Sequence, residues 1–252
     1  NNLLSLATHE LRTPLSVVKW YSEMLLDGDC GDLNADQAKY LKTIQTSNQR
    51  AIDLIKSLLN VSRLDLGTFS VRPVDSDLRF LVKQVITEHK NHIDEKKLDI
   101  QEMYESAIPG MIPNISVDQQ ICLVLMRIII SNAIVFSKES GVIYVNIKEM
   151  KQGEECGSKK IQDDALVFSV ADSGIGIPDE DKEKIFSKLF KASNATNDES
   201  KGSGLSLYIA RDVLSKVGGE IWFTSTKDVG STFYITFPKC GMPRKDGKTT
   251  LD

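Results

Sequence analysis

Along the first 25 residues, Leu4, Ala7, Leu11, Pro14, Val18, Tyr21 and Leu25 recur at alternating steps of three and four. That spacing keeps one stripe of an α-helix apolar and predicts a single long amphipathic helix. The run from Asp27 to Asn34 is polar and carries Gly28 and Gly31, which predicts a helix-hairpin loop. A second stripe, formed by Tyr40, Ile44, Ser47, Ala51, Leu54, Leu58 and Val61, predicts another long helix that ends near Leu66 and Gly67, where glycine suits a C-cap. Two long helices with narrow stripes cannot bury their faces alone. A homodimer in which two hairpins build a four-helix bundle covers them most economically; packing of the hairpin on the rest of its own chain is the alternative.

From residue 68 the period changes, and strands alternate with helices. Strands are predicted at Phe69 to Val71, Leu98 to Tyr104, Val142 to Met150, Ala165 to Ala171, Glu220 to Ser225 and Thr232 to Phe237. Helices are predicted at Leu78 to Lys96, Val117 to Phe136, Asp179 to Phe190 and Leu205 to Val217, with Ser116 and Gln119 as a capping box for the second of these. Lys151 to Asp164 reads as a polar excursion, and Lys191 to Gly202 as a polar loop. The fold class is therefore multidomain: an all-α hairpin at 1–66, an α/β sandwich of mixed sheet packed on three main helices at 67–240, and a disordered tail at 241–252.

Composition narrows the function. A formal charge of -4 gives no global basic surface, which argues against nucleic acid as a partner. Cys30, Cys122, Cys156 and Cys240 are far apart, with neither the pairing of a zinc site nor a disulfide framework. The most apolar stretch, Ile121 to Ile130, is broken by Arg127 and is shorter than the roughly 20 residues that cross a bilayer. The apolar period is already running at Leu4 with no helix cap before it, so the sequence reads as a piece whose upstream region is missing.

Chemistry concentrates in two places. His9 falls off the apolar stripe, which predicts an outward, solvent-facing imidazole, and Pro14 five residues on removes a helical hydrogen bond at a cost of about 3 kcal/mol. The string Ala7-Thr-His-Glu-Leu-Arg-Thr-Pro-Leu15 resembles the phospho-acceptor box of the sensor histidine kinases of two-component signalling. The resemblance implies that His9 takes the γ-phosphoryl group of ATP and passes it to an aspartate of a response regulator. It further implies that Glu10 accepts the other ring proton and that Thr13 positions a water for dephosphorylating the regulator.

The resemblance extends over about Gly67 to Pro238 to that family's ATP-binding domain, the Bergerat or GHKL type of α/β sandwich. Asp172-Ser-Gly174-Ile-Gly176 looks like its first glycine box, with the aspartate accepting from the adenine amino group; by itself it is equally an ordinary turn. Asn132 resembles the ligand of a phosphate-bridging Mg²⁺, and otherwise reads as a buried amide. Gly202-Ser203-Gly204-Leu205 resembles the second glycine box, whose amides hold phosphates at a helix N-terminus. Lys191 stands where the family puts a basic residue before a mobile lid, and Phe136 where an aromatic ring packs on adenine; a surface lysine and a core phenylalanine are the plainer readings. Ile128, Val135 and Ser206 depart from the family's usual Asn, basic residue and glycine. A degenerate core acting as a nucleotide-binding scaffold or phosphatase switch is the alternative they raise. The resemblance also implies the cytoplasmic portion of a membrane-anchored bacterial sensor, with any membrane contact made by the missing upstream region.

Overall fold

The structure, a computed structural model, describes residues 2–106, 111–195, 202–247 and 249–251, and the side chains of the first helix from Glu10 onward except Arg12. The chain divides into two compact units, Asn1–Leu66 and Gly67–Asp252.

The first unit is an antiparallel hairpin of α1 (Asn2–Leu26) and α2 (Ala35–Asp65). Asn34 caps α2 by accepting from the Gln37 amide at 2.9 Å, while its own amide donates to Gln37 Oε1 at 3.0 Å, so two orphan donors of the helix start are satisfied at once. The contact between the two helices uses a different face of α2 from the expected stripe. Ala38, Leu41, Gln45, Asn48, Ile52, Ile55 and Leu59 are among the shielded positions, and Asn48 Nδ2 donates to the Leu15 carbonyl at 2.8 Å, one residue past Pro14. Most of the stripe read from the sequence stays open in the single chain: Leu11 is 51% exposed, Tyr21 57%, Tyr40 64% and Ile44 47%, whereas Ala51 and Val61 are half-buried. Helices that serve a bundle need two apolar faces, one for the hairpin partner and one for the opposite pair.

In the second unit the elements are β1 (Val74–Ser76), α3 (Leu78–Glu88), α4 (Lys90–Glu95), β2 (Asp99–Glu105), β3 (Ile115–Val117), α5 (Gln119–Phe136), β4 (Val142–Met150), β5 (Glu155–Cys156), β6 (Lys159–Lys160), β7 (Ala165–Asp172), α6 (Ser206–Val217), β8 (Ile221–Thr226) and β9 (Gly230–Pro238). The main sheet has the order β2-β4-β7-β9-β8, parallel between β2 and β4 and antiparallel elsewhere. Alternation in β4 and β7 buries Ile143, Val145, Ile147, Leu166, Phe168 and Val170, and α3, α5 and α6 supply the opposing apolar faces. α5 has the length and apolarity to cross a membrane, yet ten of its side chains are buried, as in a core helix.

Several expectations need correction. Residues 69–71 form no strand of the main sheet; Phe69 and Val71 bridge instead to Thr249 and Lys245. The described residues of the expected tail, 241–247 and 249–251, are consequently packed and not disordered: Met242 and Leu251 are buried, and Lys245 Nζ lies 4.0 Å from the centre of the Phe69 ring. Their polar composition concealed a backbone partnership with residues about 180 positions upstream. The helix predicted over 78–96 breaks at His89, and the one over 179–190 shrinks to a 3₁₀ helix, Asp179–Lys184. The cap of α5 is Asp118, accepting from the Gln120 and Ile121 amides, because Ser116 is taken up in β3. The polar excursion after β4 contains the β5–β6 hairpin.

Candidate functional site: a glycine loop pinned to the end of a core helix

Strand periodicity puts Asp172, the last residue of β7, on the same face as Leu166, Phe168 and Val170. Its carboxylate is thus drawn into the helix-covered side, where burial raises its pKa above the ordinary value, opposed in part by the amides of Gly174 and Ser231. The Gly174 amide donates to Asp172 Oδ1 at 2.9 Å, which turns the chain sharply after the strand. The Ile175 amide then donates to the Phe136 carbonyl at 3.3 Å, seating the loop on the end of α5. A Cβ on Gly174 would lie 2.3 Å from that carbonyl oxygen, and one on Gly176, which has φ +61°, would lie 2.0 Å from the Thr226 carbonyl oxygen. From the other side the β8–β9 turn holds the loop, with Asp228 N donating to Ile175 O at 2.8 Å and Ile177 N to Ser225 Oγ at 2.8 Å.

Asn132 and Phe136 are one helical turn apart on α5, so they share a face, and both are half-buried. Beyond the 3₁₀ helix the chain is fixed again by Asp181, whose Oδ2 accepts from the Ser193 amide at 2.7 Å and its hydroxyl at 2.8 Å. Those hydrogen bonds to Ser193 lower the Asp181 pKa. Asn194 Nδ2 in turn donates to the carbonyls of Gly176 at 3.0 Å and Ile175 at 3.3 Å, tying the start of the polar loop to the glycine loop. Lys191 is half-buried just upstream.

Residues 196–201, in the middle of the expected lid, lie outside the described residues. After them, Gly202 has φ +70° with open space around it, whereas a Cβ on Gly204 would meet the Phe190 carbonyl oxygen at 2.7 Å. Leu205 is buried and its amide donates to Ser203 Oγ at 3.3 Å, so this residue anchors the start of α6 through its side chain. Among the described residues no side chain caps α6, whose first residue is Ser206. Its N-terminus therefore keeps the amide donors and positive dipole end that favour an anion.

The structure thus brings Phe136, Asp172, Gly174 and Gly176 into one bonded cluster, and Gly204 against the segment that leads to Lys191. Asp181 and Asn194 were missed because isolated polar residues near a loop give no periodic signal. Glu10 and Thr13 are exposed on α1, in the first unit, and the side chain of His9 lies outside the described residues. Among the described residues no cluster of three or more His, Cys, Asp or Glu could hold a metal ion. Asn132 fits Mg²⁺ only as a neutral oxygen ligand in a shell completed by phosphates and water, an arrangement this hard cation tolerates.

Residues 1–67 match the His Kinase A (phospho-acceptor) domain family, and residues 118–240 match the Histidine kinase-, DNA gyrase B-, and HSP90-like ATPase family. The sensor histidine kinase WalK of Bacillus subtilis is 30% identical over 92% of this chain and 35% of its own length. The circadian input-output histidine kinase CikA of Synechococcus elongatus is 28% identical over 94% of this chain and 29% of its own. This chain therefore spans about a third of the length of these relatives. Among solved structures, full-length ShkA in complex with AMPPNP aligns with a TM-score of 0.71 at 22% identity, covering 97% of this chain and 47% of that one. Histidine kinase ThkA in complex with the response regulator protein TrrA aligns at 0.59 and 22%, covering 95% and 61%. With a phospho-acceptor hairpin and an ATPase-type sandwich in one chain, each matched to its family, this protein belongs to the sensor histidine kinases.

Proposed function

We propose that this chain is an autokinase core that transfers the γ-phosphoryl group of ATP to His9 and then to an aspartate of a response regulator. The observation that carries the reading is the Asp172 loop, in which a Cβ on Gly174 would strike the Phe136 carbonyl at the end of α5, in the same chain as the His9 hairpin. Such a loop offers a partly desolvated carboxylate to a heterocyclic amine and lets backbone approach it closely.

In the proposed reaction an imidazole nitrogen of His9 attacks the γ-phosphorus and the bond to the bridging oxygen breaks, so that ADP leaves with the electron pair. Glu10 takes the proton of the other ring nitrogen. The regulator's carboxylate then displaces His9 from phosphorus, and Thr13 orients the water for the reverse signal. Asp172 and Phe136 hold the base, the amides of Gly202 to Gly204 and the start of α6 hold phosphates, and Lys191 offsets charge on the transferred group. Mg²⁺, held through Asn132, would supply charge neutralisation on the phosphates.

The open stripe of Leu11, Val18, Tyr21, Tyr40, Ile44, Leu54 and Leu58 supports a homodimer through the hairpin. The same reading makes the chain the cytoplasmic portion of a membrane-anchored bacterial sensor.

Incubation with Mg²⁺ and γ-labelled ATP tests the reading. Acid-labile, alkali-stable label is expected on the wild type and none on His9→Ala. An unlabelled wild type, or label that survives His9→Ala, would overturn it.

A further inference from the structure

The end of α5 carries Asn132 and Phe136 and seats the glycine loop, yet the residue that secures it lies outside the 118–240 match to the ATPase family. Lys96, at the C-cap of α4, reaches across and donates from its single ammonium to the carbonyls of Ile134 at 2.8 Å, Val135 at 2.8 Å and Ser137 at 3.2 Å. Two further carbonyls of this turn are also occupied, Ala133 O by the Ser137 amide at 3.0 Å and Phe136 O by the Ile175 amide at 3.3 Å. The Lys96 carbonyl meanwhile accepts from the Ser140 amide at 2.8 Å, which fixes the chain leaving α5.

An α-helix leaves its last four carbonyls without intrahelical donors and concentrates there about half a negative charge. If these groups were left to water, the last turn would fray, and with it the platform on which Ile175 and Phe136 meet. A negative helix end is also a poor neighbour for a polyanionic nucleotide. One ammonium answers both problems, by charge-assisted hydrogen bonds and by its positive charge.

We propose that Lys96 is a positioning residue for the nucleotide site, acting through the terminal turn of α5 to hold Phe136, Asn132 and the Asp172 loop in place. The inference rests on the reading of that loop as a nucleotide site. Lys96→Met keeps the aliphatic stem and removes the donors and the charge. Lys96→Arg restores both.

The test uses the whole chain, a fluorescent ATP analogue with Mg²⁺, and temperatures well below each variant's melting midpoint. Lys239→Met serves as control, because it also removes one positive charge from an ion pair, the 2.5 Å contact with Glu149. Lys96→Met should weaken analogue binding about tenfold, the loss of one charge-assisted contact. Lys96→Arg should recover to within about twofold of wild type, and Lys239→Met should bind as wild type does. Lys96→Gln, which keeps a donor without charge, stands in if the methionine variant does not fold, with the same expectation.

A purely structural role would lower the melting midpoint of Lys96→Met while leaving binding at low temperature unchanged, and that result overturns the proposal. Failure of Lys96→Arg to rescue overturns it as well. A wild type that binds no analogue is a separate result, which removes the nucleotide reading together with the inference built on it.

Discussion

Replacing Gly174 by alanine tests the central geometric claim, that the glycine loop is clamped onto α5. Its φ is not in the left-handed region, so the added methyl acts by contact and not by backbone strain. That methyl would lie 2.3 Å from the Phe136 carbonyl oxygen and 2.7 Å from Asp172 Oδ1, the first of these about 1.1 Å inside the 3.4 Å at which ordinary contact begins. Both obstacles are held by the protein's own bonds, so the loop has to lift from the helix. Lifting it breaks the Ile175-to-Phe136 bond, worth about 1 kcal/mol, and the Gly174-to-carboxylate bond, worth about 1.5–3 kcal/mol. A loss of about 3 kcal/mol follows, or roughly 6–12 °C in the melting midpoint of a unit this size. Trp222 reports the second unit by fluorescence in a Trp20→Phe background, since the chain has only these 2 tryptophans. Binding of a fluorescent ATP analogue should fall in parallel. A melting midpoint within about 2 °C of the parent, with unchanged analogue binding, would refute the clamped-loop geometry.

Two further outcomes come from single polar groups. Asp172 has its pKa raised by burial, so its favourable contribution is complete below the unfolded value and is lost as pH rises through the folded one. Asp172→Asn should therefore be at least as stable as wild type near neutral pH, with the difference shrinking as pH falls into the carboxylate range, while analogue binding is lost; melts across pH check the sign, and a variant destabilised most at neutral pH contradicts it. Asn48→Ala removes the buried donor to the Leu15 carbonyl, which should cost about 1–3 kcal/mol in urea unfolding followed by helical circular dichroism, and an unchanged midpoint would show that the bond contributes nothing.

The comparison between sequence and structure turns on the range of the interactions involved. The hairpin, the buried run of α5 and the alternation of β4 and β7 are legible because each follows from local spacing, in which a period of 3.6 or 2 sets one face inward. Gly174, Gly176 and Gly204 were legible as well, since each stands where backbone approaches too closely to admit a Cβ, whereas Gly202 has open space around it. The break of α3 from α4 at His89 and the collapse of the expected helix after Asp179 were not, because tertiary contacts override propensity over such short spans.

By itself, the sequence determined that this chain pairs a helical hairpin bearing His9 with an α/β sandwich bearing the Asp172 glycine box, because those patterns are encoded in neighbouring residues. Only the tertiary structure decided which stripe of α2 faces α1 and which stays open, since both are apolar and spacing cannot rank them. It alone also revealed the strap of Lys245 and Thr249 on residues 68–71, the hold of Asp181 on Ser193, and the reach of Lys96 across α5. Each of these joins groups from 12 to about 180 positions apart by a few hydrogen bonds or bridges, and bonds of that kind leave no period in the chain for a sequence to display.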